Sequence, residues 1–260
     1  MKLLSLNIWG GRVYPQILDY LAKTVPDVDF YSFQEVFDTK EDVKQSHETR
    51  ADIWEELSQI FLGYHRFYYP VMSGRDDSGE VPYSLTTGSG MFIKGEYKVD
   101  SEGDYFTYRR RFAPIQIEVK DEPVNLQYAS IVTNGQTIHI YNFHGIWFPG
   151  DKLDTPERIE QSEKIIGFMK KAEGPKILCG DFNLMPETKS IALLASEYRN
   201  LIKKFNIGTT RSSLNTYRGT EFEQKFADYV FVSNDVKVKS FSVPEVEISD
   251  HLPLILEFDI

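Results

Sequence analysis

Again and again along this chain, a short apolar run rich in β-branched and aromatic residues stops at a side chain able to bind a cation or move a proton. These stops fall at Asn7, Gln34-Glu35, Asn142 and His144, Gly180-Asp181-Phe182-Asn183, Asp228, and Ser249-Asp250-His251. A strand holds its ends firmly yet leaves them open to solvent, which is where scaffolds commonly mount active sites. The chain therefore needs a sheet-based fold in which many strand ends can meet.

The spacing of apolar residues supports that fold. Residues 2–8, 28–33, 89–94, 129–133, 137–143, 176–179, 227–232, 236–243 and 253–258 read as strands. Asn134-Gly135 between two of these runs is a strong short hairpin signal. Helices are expected over 14–25, ended by Pro26, and over 41–61, with Ile53, Leu57, Ile60 and Phe61 on one face. Two more fall at 155–169, with Thr155 as N-cap and Pro156 as first helical residue, and at 186–195. Residues 73–84 read as a loop. Strands and helices interleave without a linker or repeat, so one domain over 1–260 is expected: an α/β fold with two sheets flanked by helices. At 260 residues, with 14% aromatics to fill a β-rich core, no staple is needed.

Composition excludes some roles. A net charge of −10 argues against a protein that grips long nucleic acid over a broad basic face. The lone Cys179, in an apolar run, reads as a buried hydrophobe, not a nucleophile. One cysteine makes no internal disulfide, which fits a reducing, cytoplasmic setting. The opening apolar run is too short for a signal peptide, and no stretch approaches a transmembrane span. A monomer is expected.

Taken singly, Asp228 could be a strand-edge charge, His144 a core histidine and Asp250-His251 a loop pair. Taken in order, the set resembles the endonuclease/exonuclease/phosphatase superfamily with its DNase I-like fold. The resemblance rests on Leu6-Asn7-Ile8-Trp9, Phe33-Gln34-Glu35-Val36, Ser89-Gly90-Met91, Asn142-Phe143-His144, Gly180-Asp181-Phe182-Asn183, Asp228-Tyr229-Val230 and Ser249-Asp250-His251-Leu252-Pro253. It implies a four-layer sandwich: two mostly antiparallel sheets packed face to face, with helices on the outer faces. It also implies a metal-dependent hydrolase of phosphate esters.

The same resemblance suggests roles. Glu35, with Asn7 beside it and Asp250 in support, would hold Mg²⁺ or Mn²⁺. Converging carboxylates repel, and a divalent cation with oxygen ligands removes the conflict. Asp181 would orient and deprotonate the attacking water, and Asn183 would hold that water or a phosphate oxygen. His251, oriented by Asp228, would contact the phosphoryl group, and His144 would stabilise it or protonate the leaving oxygen. Asp250 and His251 can serve together only if the chain bends there, because adjacent strand side chains point apart. Arg109 in the Arg109-Arg110-Arg111 cluster, Arg211, Arg158 and Trp147 are candidates for binding substrate, though balancing acids or packing in the core would explain them too. The expected reaction is hydrolysis of a phosphodiester, foremost in a nucleic acid or nucleotide-like substrate. A lipid, sugar or inositol phosphate is the alternative, and a non-catalytic binding module the remote one. Asn7-Ile8-Trp9-Gly10 is similar to the sphingomyelinase branch of the superfamily.

Overall fold

The computed structural model describes residues 1–115, 121–133 and 135–260. The chain opens with β1 (Lys2–Asn7), turns through a 3-10 segment at Trp9–Gly11, and runs through α1 (Gln16–Thr24) into β2 (Phe30–Asp38). A small hairpin, β3 (Gln45–Ser46) and β4 (Thr49–Arg50), leads into α2 (Ile53–Ile60) and β5 (Tyr64–Ser73). A second one, β6 (Arg75–Asp76) and β7 (Gly79–Glu80), leads to β8 (Thr86–Lys94). Next come β9 (Lys98–Tyr108), β10 (Val124–Thr133), β11 (Gln136–His144), α3 (Pro156–Met169), β12 (Lys176–Asp181) and α4 (Lys189–Glu197). The chain finishes through β13 (Arg199–Asn200), α5 (Leu201–Lys204), β14 (Asp228–Val232), β15 (Lys237–Ser242) and β16 (Leu254–Asp259).

Two six-stranded sheets form, in the orders β15-β16-β1-β2-β8-β5 and β13-β14-β12-β11-β10-β9. Each is built around one parallel pair, β1 with β2 and β11 with β12. The other ladders in both sheets are antiparallel. Because side chains alternate along a strand, β1 and β2 bury both faces. Leu4, Leu6, Tyr31 and Phe33 join Ile17 and Leu21 of α1 and Ile53 and Leu57 of α2 in one core. Leu3 and Phe30 face the second sheet and pack with Leu126, Ile138 and Ile177. Ile165 and Met169 of α3, with Ile191 and Leu194 of α4, cover that sheet's outer face. The result is the expected four-layer sandwich. Burying one such Leu or Phe contributes roughly 1.5–3 kcal/mol.

The layer between the sheets turns polar toward the end where the parallel pairs finish. Gln34 Nε2 donates to Asn142 Oδ1 across the sheets at 2.5 Å, and Asn142 Nδ2 donates to the carbonyl of Phe33 at 3.0 Å and to Gln127 Oε1 at 3.0 Å. These buried amides lock the two sheets in register beneath the strand ends, because an unpaired buried amide is costly.

Several expectations need correction. Only Ile53–Ile60 of the 41–61 stretch is helical. The preceding residues lack apolar groups at helical spacing and form β3 and β4, pinned where Ser46 and His47 bond Asp76. Asp76 also sets the tip of the β6–β7 hairpin by accepting from the Ser78 and Gly79 amides, so 73–84 is not a plain loop. The strand at 28–33 continues to Asp38 through a bulge between Phe33 and Val36. The edge strands β5 and β9, with mixed polar and apolar residues and few fully buried positions, escaped the reading altogether. Thr155 and Pro156 do cap α3 as expected. Thr133 pairs with Gln136 across the expected hairpin, whose Asn134 lies outside the described residues.

Candidate active site

Both parallel pairs end at the same edge of the sandwich and deliver their last side chains to one place. Asn7 closes β1, His144 closes β11 and Asp181 closes β12. Glu35 sits in the β2 bulge with a left-handed backbone, φ 56°. That extra residue re-aims the strand, a common use of a bulge beside a site. Asp228 opens β14 directly opposite Asp181. Asp250 and His251 arrive from the segment before β16, where the chain bends over 247–250. Ser249 fixes that bend by donating to the Asn7 carbonyl at 2.7 Å, and Arg211 pairs with His251 as an isolated bridge. The required bend is therefore present.

Asn7 links the acids. Its Nδ2 donates to Glu35 Oε1 at 2.8 Å and to Asp181 Oδ2 at 3.1 Å, while its Oδ1 accepts the Trp9 amide at 2.9 Å. His144 Nε2 stands 3.7 Å from Glu35 and 3.8 Å from Asp181, too far for hydrogen bonds. Asp181 Oδ1 accepts the Asn183 amide at 2.8 Å. His251 Nδ1 lies 2.9 Å from both oxygens of Asp228, and its Nε2 turns toward Asp181 Oδ2 at 3.6 Å. Arg211 Nη1 lies against His251 Nε2 and donates to Asp250 Oδ2 at 2.9 Å.

The electrostatics divide sharply. Burial, and then the charge of Asp77, push the Glu35 carboxyl up to about 8 despite the Asn7 amide. Burial would push Asp181 up as well, but His251, Lys152, His144 and Arg211 outweigh it and hold Asp181 well below the usual carboxylate range. Burial lowers His144 below the ordinary histidine value. Burial and Arg211 also press on His251, but Asp228, Asp250 and Asp181 prevail and raise it. Perturbed groups packed at strand ends are a mark of functional sites.

Some of the predicted site residues take different places. Asn7 presents its amide nitrogen to the acids, and its carbonyl is taken by Trp9, so it bridges carboxylates where a metal ligand was expected. Asp250 does not join the tight group at Glu35; Arg211 and Asn215 occupy its Oδ2. Arg109 binds Asp121, through an ion pair and through its carbonyl, and is not among the residues gathered at the acids. Trp147 donates to Glu122 at 2.9 Å and packs edge-on to Phe148. Arg158 is a brace, not a phosphate ligand. At 1% exposure it holds the carbonyls of Ile146, Pro149 and Leu153. The sequence reading missed Lys152, which is 6% exposed and bonds Asn183 Oδ1. It lies in a polar loop where only burial, invisible in sequence, marks it. Burial pushes its ammonium down to about 8 although Asp181 opposes the shift.

Among the described residues, two groups of side chains have ligand atoms close enough to share a cation: Glu35, His144 and Asp181, and Asp181, Asp228 and His251. The second is satisfied internally by the two Asp228–His251 contacts. The first sets two carboxylates around one neutral amide and leaves Glu35 short of positive charge. A divalent cation fits that first group, since two carboxylate oxygens and an imidazole nitrogen close to one another suit such an ion.

The chain matches the model of the Endonuclease/Exonuclease/phosphatase family over residues 4–251. Similar solved structures include a mannosyl-6-phosphatase from Bacteroides thetaiotaomicron, 17% identical with TM-score 0.72, covering 100% of both chains. The human Nocturnin catalytic domain with bound sulfate is 16% identical with TM-score 0.66, covering 100% of this chain and 93% of that one. A UPF0294 protein from Vibrio campbellii is 27% identical over 128 residues, which is 49% of this chain and 42% of that relative. The match thus spans less than half the length of the curated relative. Among the described residues no helix is long and apolar enough to cross a membrane. The chain belongs to the Endonuclease/Exonuclease/phosphatase family, a family of phosphate-ester hydrolases.

Proposed function

We propose that the protein is a divalent-cation-dependent phosphoesterase that breaks a P–O bond by in-line attack of water on a compact phosphorylated substrate. The observation that carries this reading is the meeting of Glu35, Asn7, His144, Asp181 and His251 at one edge of the sandwich. Glu35, with Asp181 and His144 beside it, would hold Mg²⁺ or Mn²⁺, which neutralises the carboxylates and draws electron density from the phosphoryl oxygens. Asp181 is held ionised, so it accepts a hydrogen of the attacking water and aims that water at phosphorus. Asn183 fixes Asp181 by its backbone amide. The raised His251, paired with Asp228, donates from Nε2 to a phosphoryl oxygen. His144 faces the same centre as a neutral imidazole and contacts the phosphoryl group or the leaving oxygen. The demands of phosphoryl transfer are chiefly placement and charge neutralisation, which these groups meet.

What supports a compact substrate is the state of the surface cations. Arg12 is paired with Glu48 and Asp77, Arg109 with Asp121, Arg111 with Asp104 and Arg218 with Glu245. A nucleic-acid enzyme needs basic groups ready for a run of phosphates. At the site itself two cations stand beside the acids, Lys152 bonded to Asn183 and Arg211 paired with Asp250. A mannosyl-6-phosphatase among the similar folds is in keeping with a sugar phosphate. The test is a panel of hexose phosphates, phosphoinositide headgroups, sphingomyelin, abasic DNA, single-stranded DNA and RNA, each with Mg²⁺, Mn²⁺ or EDTA. The reading expects metal-dependent turnover fastest on a small phosphate. Preferred cleavage of DNA or RNA would return the substrate to the nucleic-acid class, and equal turnover in EDTA would remove the metal.

A further inference from the structure

Lys152 is a side chain beside the site whose placement the roles above do not explain. It sits on the loop joining β11 to α3. Its neighbours Gly150, Asp151, Leu153 and Asp154 are exposed, yet it is turned inward and buried. Burying an ammonium is unfavourable unless it is compensated. Its backbone is left-handed, φ 58°, a conformation that costs a side-chain-bearing residue and persists only where the surroundings enforce it. Those surroundings are explicit. Arg158 donates to Pro149 at 2.6 Å and to Leu153 at 2.5 Å, Gln224 donates to the Gly150 carbonyl at 2.6 Å, and the Met185 amide donates to the Lys152 carbonyl at 2.9 Å. An exposed loop is thus braced from both sides of one inward lysine.

The ammonium has three N–H donors. Asn183 Oδ1 takes one, and among the described residues no other acceptor takes the remaining two. Its charge acts on Asp181, Arg211, Asp228 and Asp250. Lys152 shares the task of holding Asp181 low with His251, His144 and Arg211. An ammonium with two unspent donors therefore stands beside the residue that aims the water, on the Asn183 side of Asp181.

We infer that Lys152 is a catalytic residue: its ammonium takes a non-bridging phosphoryl oxygen of the substrate, on the far side of Asp181 from Glu35. This rests on the phosphoesterase reading. Two substitutions test it, Lys152→Met, which keeps the apolar stem, and Lys152→Gly, which accepts the left-handed backbone. With p-nitrophenyl phosphate and bis-p-nitrophenyl phosphate, kcat/KM falls by about 100-fold in both variants. The inhibition constant of inorganic phosphate rises by about tenfold or more. Ethylammonium restores part of the rate in Lys152→Gly and does nothing for the wild type. Phosphate inhibition at the wild-type constant, or a slow Lys152→Gly enzyme that ethylammonium fails to rescue, would reduce Lys152 to a prop for Asn183 and overturn the inference. A wild-type protein inert toward every ester would instead overturn the phosphoesterase reading and take the inference with it.

Discussion

The two sheets are laid out alike, but the acids they deliver behave in opposite ways. Each sheet has a central parallel pair, and each sends a carboxylate from the end of that pair, Glu35 from the first and Asp181 from the second. The Asn7 amide donates to both. Yet Glu35 is pushed up to about 8 while Asp181 is held low. Burial acts on both, so the neighbours decide. His251, Lys152, His144 and Arg211 all act to lower Asp181, whereas Asp77 and Asp250 raise Glu35 against His251 and the Asn7 amide. The protein's own cations stabilise one carboxylate and leave the other in need of one. That asymmetry teaches where an external cation belongs and which acid is left to handle water.

The largest expected effect tests the role of the low acid. Asp181→Asn keeps the acceptor for the Asn183 amide but cannot take a proton, so turnover falls by roughly 10²–10⁴-fold. Steady-state kinetics on bis-p-nitrophenyl phosphate read this directly, and a wild-type rate would show that water is aimed by another group. Asp228→Asn frees His251 from its orienting carboxylate and costs about 10–100-fold. If its pH profile and rate match the wild type, the imidazole does not depend on Asp228.

A subtler contrast lies in stability without metal. The folded-state pKa of Glu35 is above its unfolded value, so its stabilising contribution is complete at acid pH and is lost as pH rises through about 8. Asp181 is lowered, so its contribution is present at neutral pH and is lost as pH falls through the acid range. In EDTA at pH 8, Glu35→Gln should raise Tm by roughly 2–4 °C, and Asp181→Asn should lower it by a similar amount. Melting curves across pH decide it, and shifts of the same sign in both variants would erase the distinction. The smallest effect is expected at Arg109, whose charge Asp121 already takes. Arg109 is not among the residues gathered at the acids, so Arg109→Ala should leave kcat/KM on small phosphates within about threefold.

Much of this was legible in the sequence because strand ends carry their chemistry in contiguous residues. Asn7, Glu35, His144 and Asp181 each end an apolar run, Asp228 and His251 each precede one, and all six meet. Other features depend on contacts between distant residues. Nothing local says that Arg109 meets Asp121, that the Asn7 carbonyl turns to Trp9, or that Arg158 folds back beneath its own loop to bury Lys152. The edge strands β5 and β9 hide for a related reason: their residues are only half buried, so the apolar alternation that announces a strand is blurred.

The most direct measurement is the anomalous diffraction of a crystal soaked in Mn²⁺. A single strong peak within ligand distance of the Glu35 carboxylate, on the side facing Asp181 and His144, is the predicted result. A peak seated beside Asp228 and His251, or none at Glu35 while the crystal's protein still hydrolyses ester in Mn²⁺, would contradict the placement of the cation at the carboxylate that lacks one.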